Sequence, residues 1–171
     1  MIRKLRTLAF GAALLIFPLA LYAKPAHTLL PFAGSYTGMA TSTTSDGPVS
    51  GSSTLTFTGK KKSLRGTFLY TGILNFGGVS KTVVQTFNIS KSGLLAGRVS
   101  LDGVDGIGSG QAFLKGKKLT VSITYTIGPD ASLTVSLNGQ ITFKGKHATW
   151  TAIVSSSDPT GNGSLSVTGK R

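Results

Sequence analysis

The stretch Leu119–Ile127, LTVSITYTI, alternates apolar and polar residues without a break. Successive side chains of a β-strand point to opposite faces, so this pattern predicts a strand with one apolar face and one Thr/Ser face. The stretch 133–143, LTVSLNGQITF, repeats the alternation, and 83–89 and 148–154 repeat it less cleanly. No window shows the helical period of about 3.6 residues. The sequence therefore predicts an all-β fold.

Turn residues separate further segments of this kind on both sides of that stretch. We predict ten strands, at about 34–41, 52–58, 64–75, 81–90, 94–101, 109–115, 118–127, 132–143, 147–155 and 163–169. Most links are short enough for hairpins, so neighbours in sequence should pair antiparallel. A meander with one apolar face must curl to bury it. We expect an up-and-down meander closing into a small β-barrel, with a β-sandwich as the alternative.

The N-terminal residues have the composition of a signal peptide. Three basic residues within 3–6 precede an almost wholly apolar run at 8–21, and Ala23 supplies a small residue at a cleavage point. The run is short for a membrane span and contains Pro18, which disfavours an uncleaved anchor. The expected organisation is a signal peptide at 1–23, a lead-in segment at 24–33 and a single barrel domain at 34–171.

The composition indicates where such a protein acts and what it meets. The chain has no Cys, which excludes disulfides and a lipoprotein anchor and favours the bacterial periplasm or the extracellular space. Its 18 Lys and Arg residues against 5 Asp give a formal charge of +13, with no Glu. Such a balance attracts anionic partners, such as lipopolysaccharide, polysaccharide or anionic lipid. Nucleic acid is disfavoured by the export signal.

The charged residues sort to opposite ends of the predicted meander, because alternate links lie at the same end. One end, the far end, receives all five Asp residues; the other, the near end, receives most of the Lys residues, with Lys81 as an exception. The near end is the candidate binding surface for an anionic partner, through Lys60, Lys61, Lys62, Lys115, Lys117, Lys118, Lys144 and Lys146. The alternative is that Lys and Asp serve only as soluble turn residues.

Catalytic chemistry finds little support in the sequence. His27 and His147 are the two histidines, and neither has an acidic neighbour in sequence. Parity places His147 at the end opposite to the acids, which disfavours a Ser-His-Asp triad. Asp102 and Asp105, in a Gly-rich stretch, form a weak calcium candidate without the EF-hand pattern. We expect a non-enzymatic protein without a cofactor.

The resulting hypothesis is an exported β-barrel binding module. It would hold a small apolar ligand inside the barrel, or an anionic envelope component at its basic end. The outline is similar to lipocalin- and avidin-like barrels, but the motifs of neither family occur, so no binding residue is carried over. Two alternatives stay open. One is a small outer-membrane barrel with its apolar face towards lipid; the other is a structural or adhesive surface protein.

Cleavage of the signal peptide gives a first testable prediction. When the full chain is expressed in a bacterial host, the exported protein should begin at Lys24, as N-terminal sequencing and intact mass would show. Ala23→Arg should block processing, because signal cleavage needs a small residue there, whereas Ala26→Gln should leave the N-terminus at Lys24. Recovery of exported protein that begins at Met1 would contradict the assignment.

Overall fold

The computed structural model describes residues 28–171, and these form a closed barrel of ten antiparallel strands. The signal peptide predicted at 1–23 and residues 24–27, including His27, lie outside the described residues. The strands are β1 (Gly34–Thr44), β2 (Gly47–Lys60), β3 (Ser63–Phe76), β4 (Val79–Ile89), β5 (Leu94–Leu101), β6 (Val104–Lys115), β7 (Lys118–Ile127), β8 (Leu133–Lys144), β9 (His147–Ser156) and β10 (Gly163–Lys170). The predicted meander barrel is confirmed, and the sandwich is not formed.

Each strand pairs with its sequence neighbours, and β1 pairs with β10 to close the barrel. The closing ladder runs from Thr37 opposite Lys170 to Thr44 opposite Gly163. It satisfies the backbone groups that would otherwise form two open edges. Because the number of strands is even, β1 begins and β10 ends at the same end of the barrel.

Several strands are longer than predicted, among them β2, which begins at Gly47, and β6. The sequence predicts a link at 102–108, but the strand begins at Val104 and pairs along β5 and β7. Glycines in this segment make room for a neighbour, since a Cβ on Gly108 would lie 2.5 Å from the Tyr125 ring. The turn itself needs only Asp102 and Gly103, both with positive φ. Packing of Tyr125 over β6 therefore outweighs the low strand propensity of glycine.

The apolar faces of the strands meet inside the barrel and fill it. Phe68 stacks between Phe57 and Phe87, with ring centroids 4.8 and 4.5 Å away. Trp150 stands edge-on to Phe68 and Tyr70, at 5.2 and 5.1 Å. All five side chains are buried. Aromatic contacts at these distances are those of a packed core.

The Thr/Ser faces of the strands lie on the outer wall. They form cross-strand hydrogen bonds, such as Thr58 to Thr67 at 2.7 Å and Thr124 to Ser136 at 2.8 Å. A barrel that spans a bilayer needs the reverse, an apolar band outside. The outer-membrane alternative therefore requires an orientation opposite to the one observed. Among residues 28–171, no helix has the length and apolar character needed to cross a membrane.

The near end is covered by the first residues of the described chain. Leu29 is fully buried. Phe32 stacks on Phe143, with 4.2 Å between ring centroids, and its carbonyl accepts a hydrogen bond of 3.1 Å from the Tyr36 hydroxyl. Arg171 donates to the carbonyl of Ala33 at 2.8 Å. From residue 28 onward, the predicted lead-in thus packs against the barrel, with Leu29 in the core and Phe32 against it.

The far end is covered by the link between β9 and β10. Its short 3-10 turn lies against Phe76, and a Cβ on Gly161 would come within 2.3 Å of that ring. The amide of Gly77 donates to the carbonyl of Thr160 at 3.1 Å, which joins this link to the turn between β3 and β4. Chain segments therefore cover both ends of the barrel.

The packing predicts very different costs for the same substitution at two positions. Phe68→Ala should lower the free energy of unfolding by about 3–5 kcal/mol, because it leaves a cavity in the aromatic core. Phe113→Ala on the outer wall of β6, where the side chain is 57% exposed, should change it by less than about 0.5 kcal/mol. Urea unfolding followed by circular dichroism measures both. Equal losses would contradict the assignment of inner and outer faces.

Candidate anionic-partner surface at the near end

The near end is formed by four hairpin links and the C-terminal residue. The links lie between β2 and β3, β4 and β5, β6 and β7, and β8 and β9. Three of them bring together the eight lysines predicted as the binding surface, which we call the basic rim, and all eight are exposed: Lys60, Lys61, Lys62, Lys115, Lys117, Lys118, Lys144 and Lys146. Four further cations, Arg65, Lys91, Lys170 and Arg171, lie at the same end.

Strand register places several of these groups side by side. Lys115 of β6 lies directly opposite Lys118 of β7. Lys144 of β8 lies opposite His147 of β9, which lies opposite Lys170 of β10. Like charges directly opposite one another on a sheet destabilise it. The fold therefore carries an electrostatic cost at this end.

Carboxylate side chains are concentrated at the other end. Asp46, Asp102, Asp105, Asp130 and Asp158 all lie in far-end links or at the far end of a strand. Within residues 28–171, the ion pair that forms joins Lys81 to Asp102, at 3.0 Å, also at the far end. This pair explains why Lys81 departs from the sorting of charges.

Arg171 has a structural role that sets it apart from the lysines. Its guanidinium lies over the ring of Tyr36, 5.4 Å from the centroid, while it donates to Ala33. It therefore holds the lead-in segment against the near end, whereas the lysines of the basic rim project into solvent.

Two open grooves run along the outer wall beside the rim. One, of about 730 Å³, is lined by Lys60, Arg65 and Asn88 among others. The second, of about 590 Å³, is lined by Phe113 with Gln111 and Thr120. Leu94 lines both grooves and separates them.

Phe113 and Leu94 are the residues at this surface that the sequence analysis missed. They are 57% and 59% exposed. The alternation of residues along β6 indicates that Phe113 lies on the outer face. Ala112 and Leu114 are its buried neighbours, and Phe113 shares the outer face with Lys115. An aromatic residue out of phase with the apolar face of its strand points away from the core.

The weak calcium candidate at the far end is not assembled as a cation site. Asp102 pairs with Lys81, and its other oxygen accepts the amide of Thr82 at 2.7 Å. A lysine ammonium in contact with a carboxylate competes with a metal ion for it. Asp105 lies on β6 opposite Ser100. Within the described part of the chain, no three His, Cys, Asp or Glu side chains come together as metal ligands.

Asp158, also at the far end, stabilises a turn. Asp158 accepts hydrogen bonds from the amide and the hydroxyl of Thr160, at 3.0 and 2.8 Å, and these bonds lower the pKa of its carboxyl. In the interior, burial raises the pKa of the Tyr70 and Tyr125 hydroxyls well above the ordinary tyrosine value. The Asp158 shift arises from hydrogen bonds within the turn, and the two tyrosine shifts arise from burial in the core.

The geometry defines a class of protein: a meander barrel with a filled interior, an outer wall rich in Thr and Ser, and one basic end. Comparison with family models, with curated proteins and with solved structures finds no match to this chain. Function is therefore inferred from the surface itself.

The Lys81–Asp102 pair gives a prediction about pH. The hydrogen bond from Lys81 and that from the Thr82 amide hold the pKa of the Asp102 carboxyl below its usual value. Lys81→Met should raise this pKa towards the ordinary value of about 4, as an NMR titration of the carboxyl would show, while Lys91→Met should not.

The sign for stability follows from the same shift. A depressed pKa in the folded state stabilises the protein above the ordinary aspartate value, and the effect is lost as pH falls through the folded pKa. The stability difference between the native protein and Lys81→Met should therefore shrink on acidification below about pH 4. An unchanged Asp102 pKa in Lys81→Met would refute the ion pair in solution.

Proposed function

We propose that this protein is an exported, non-enzymatic binding protein whose basic rim docks on an anionic component of the cell envelope. The partner carries phosphate or carboxylate groups, as lipopolysaccharide, acidic polysaccharide and anionic lipid do. The observation that carries the proposal is the separation of charge: three separate hairpins contribute lysines to one end, and the aspartates lie at the other.

The distance between the two ends keeps the aspartates from neutralising the rim. Strands of 8 to 14 residues, at about 3.3 Å per residue and a barrel tilt near 40°, place the ends roughly 25–30 Å apart. The screening length at physiological salt is about 8 Å. An approaching anionic surface therefore meets the field of the lysines, and the charge separation orients the near end towards it.

The packing supports an outer surface over the barrel interior as the binding site. Aromatic side chains fill the lumen, and both ends are covered by chain segments. A small apolar ligand would have to displace core side chains, at the cost that core disruption carries. The basic rim needs no such rearrangement, because its lysines are already exposed.

Two double variants with the same loss of cationic charge test the proposal. Lys115→Gln with Lys118→Gln removes two charges from the rim, and Lys81→Gln with Arg98→Gln removes two from elsewhere on the barrel. Each Lys near an anionic surface strengthens binding about fivefold. The rim variant should therefore bind about 30-fold more weakly than the native protein to dextran sulfate beads and to anionic vesicles. The second variant should change binding by less than about threefold.

Salt provides the second measurement. Retention of the native protein should fall steeply as salt rises, and the rim variant should show a shallower dependence. Equal effects of the two double variants would mean that net charge alone governs binding, and the proposal would fail. Concentration-dependent self-assembly with no retention on either anionic support would instead favour the structural or adhesive alternative.

A further inference from the structure

An apolar pair lies directly beside the basic rim. Leu94 is opposite Gln111 in the ladder between β5 and β6, and Phe113 follows two residues along β6 towards the near end. Diagonal neighbours of this kind are about 7–8 Å apart, within reach of large side chains. Both line the groove of about 590 Å³. They are the two large apolar side chains of this groove, on an outer wall that is rich in Thr and Ser.

Cations surround this pair on the sides that face the near end. Lys115 shares the outer face of β6 with Phe113, and Lys118 lies opposite Lys115. Lys91 is in the turn that precedes Leu94. On the other side of Leu94, the groove of about 730 Å³ is lined by Lys60 and Arg65. Apolar and cationic groups are therefore interleaved at one edge of the barrel.

We propose that the anionic component is a lipid bilayer, and that Phe113 and Leu94 insert at the boundary between its headgroups and acyl chains. This inference rests on the proposed function and names the partner of that same rim. A soluble polyanion offers charge but no apolar phase, so it would leave both side chains in water. A bilayer with anionic headgroups offers both within a few ångströms of depth.

The outward direction of the pair suits a bilayer that meets the side of the near end. Phe113 lies on the outer wall of β6, about 7 Å back from the last residue of the strand, so it reaches a bilayer that meets the β5–β6 edge and not the flat end of the barrel. Apolar groups of peripheral proteins enter the boundary between headgroups and acyl chains by about 5–10 Å. The lysines beside Phe113 can meanwhile extend their long side chains to the phosphates. The β5–β6 edge of the near end would thus face the membrane.

Two other exposed apolar residues, Ile153 and Ile107, lie away from the near end and serve as controls. Ile153 on β9 is 64% exposed, but its ladder partners are Asn138 and Ser164. Ile107, on β6 towards the far end, is 71% exposed between Arg98 and Thr126. Exposure alone therefore does not distinguish Phe113 and Leu94; their position in the cationic edge does.

Vesicle binding tests the inference. The full chain is expressed and the exported protein is recovered, so that every variant has the same N-terminus. Each is titrated with vesicles of phosphatidylcholine, with vesicles that also contain phosphatidylglycerol, and with dextran sulfate. The native protein should bind the anionic vesicles and not the neutral ones. Phe113→Ser with Leu94→Ser should weaken vesicle binding about tenfold or more and leave dextran sulfate binding unchanged.

The control double variant, Ile107→Ser with Ile153→Ser, should match the native protein on all three supports. Unchanged vesicle binding by the Phe113 and Leu94 variant would overturn the inference and leave the proposed function standing. The same holds if the native protein binds dextran sulfate but no vesicles. If the lysine variant Lys115→Gln with Lys118→Gln binds every support as the native protein does, the proposed function itself fails.

A second measurement reports insertion directly. Trp150 is the chain's one tryptophan and is buried, so a tryptophan placed on the surface gives a separable signal. Phe113→Trp should be quenched by phosphatidylglycerol with brominated acyl chains, since its indole would reach their depth. Ile153→Trp should not be quenched. Equal quenching of the two, or none of either, would overturn the inserted geometry.

Discussion

Closure of an even-numbered meander is the constraint on which the rest of the structure depends. Each link joins two antiparallel neighbours, so the links fall at the two ends in strict alternation, and the ladder between β1 and β10 closes each end into a ring. The end at which a charged link residue lies therefore depends only on the position of its link in the order of the chain. The basic rim is assembled from hairpins that are far apart in sequence. Closure thus brings lysines from distant parts of the sequence together at one end of the barrel.

The same closure commits the interior to packing. A barrel of this size can be filled by side chains or can enclose a ligand. Here large aromatic side chains pack inside it. Phe57, Phe68 and Phe87 stack along three adjacent strands, and Trp150 closes against them from β9. Where β6 offers only glycine on its inner face, the ring of Tyr125 covers the gap. The glycines of β6 thus leave room for the bulky ring of Tyr125. The side chains that stabilise the core take up volume that an interior ligand would otherwise occupy.

Much of the fold could be predicted from the sequence, because alternation reports directly on which face of a strand is buried. All ten strands and their order followed from it, and with them the end at which each lysine lies. The early start of β6 could not be predicted, since it depends on the space that Gly108 leaves for Tyr125 on another strand. The burial of Leu29 in the near-end cover also depends on contacts made across the barrel. The outward direction of Phe113 could be predicted from its position in the strand pattern. Its place beside Leu94 and the lysines of the basic rim depends on contacts between strands and is seen only in the structure.

The basic rim and the apolar pair together have a physical logic that neither has alone. Opposed lysines such as Lys115 and Lys118 cost stability in the isolated protein, and an anionic surface would relieve that repulsion. An exposed aromatic residue gains little from a purely ionic partner, because its hydration is unchanged on binding. Electrostatic attraction acts over several ångströms and falls with salt, whereas apolar burial acts only on contact and is insensitive to it. The rim would bring the barrel to the surface in one orientation, and the apolar pair would then slow its departure. If the surface acted by electrostatic attraction alone, Phe113 and Leu94 at its edge would contribute nothing to binding.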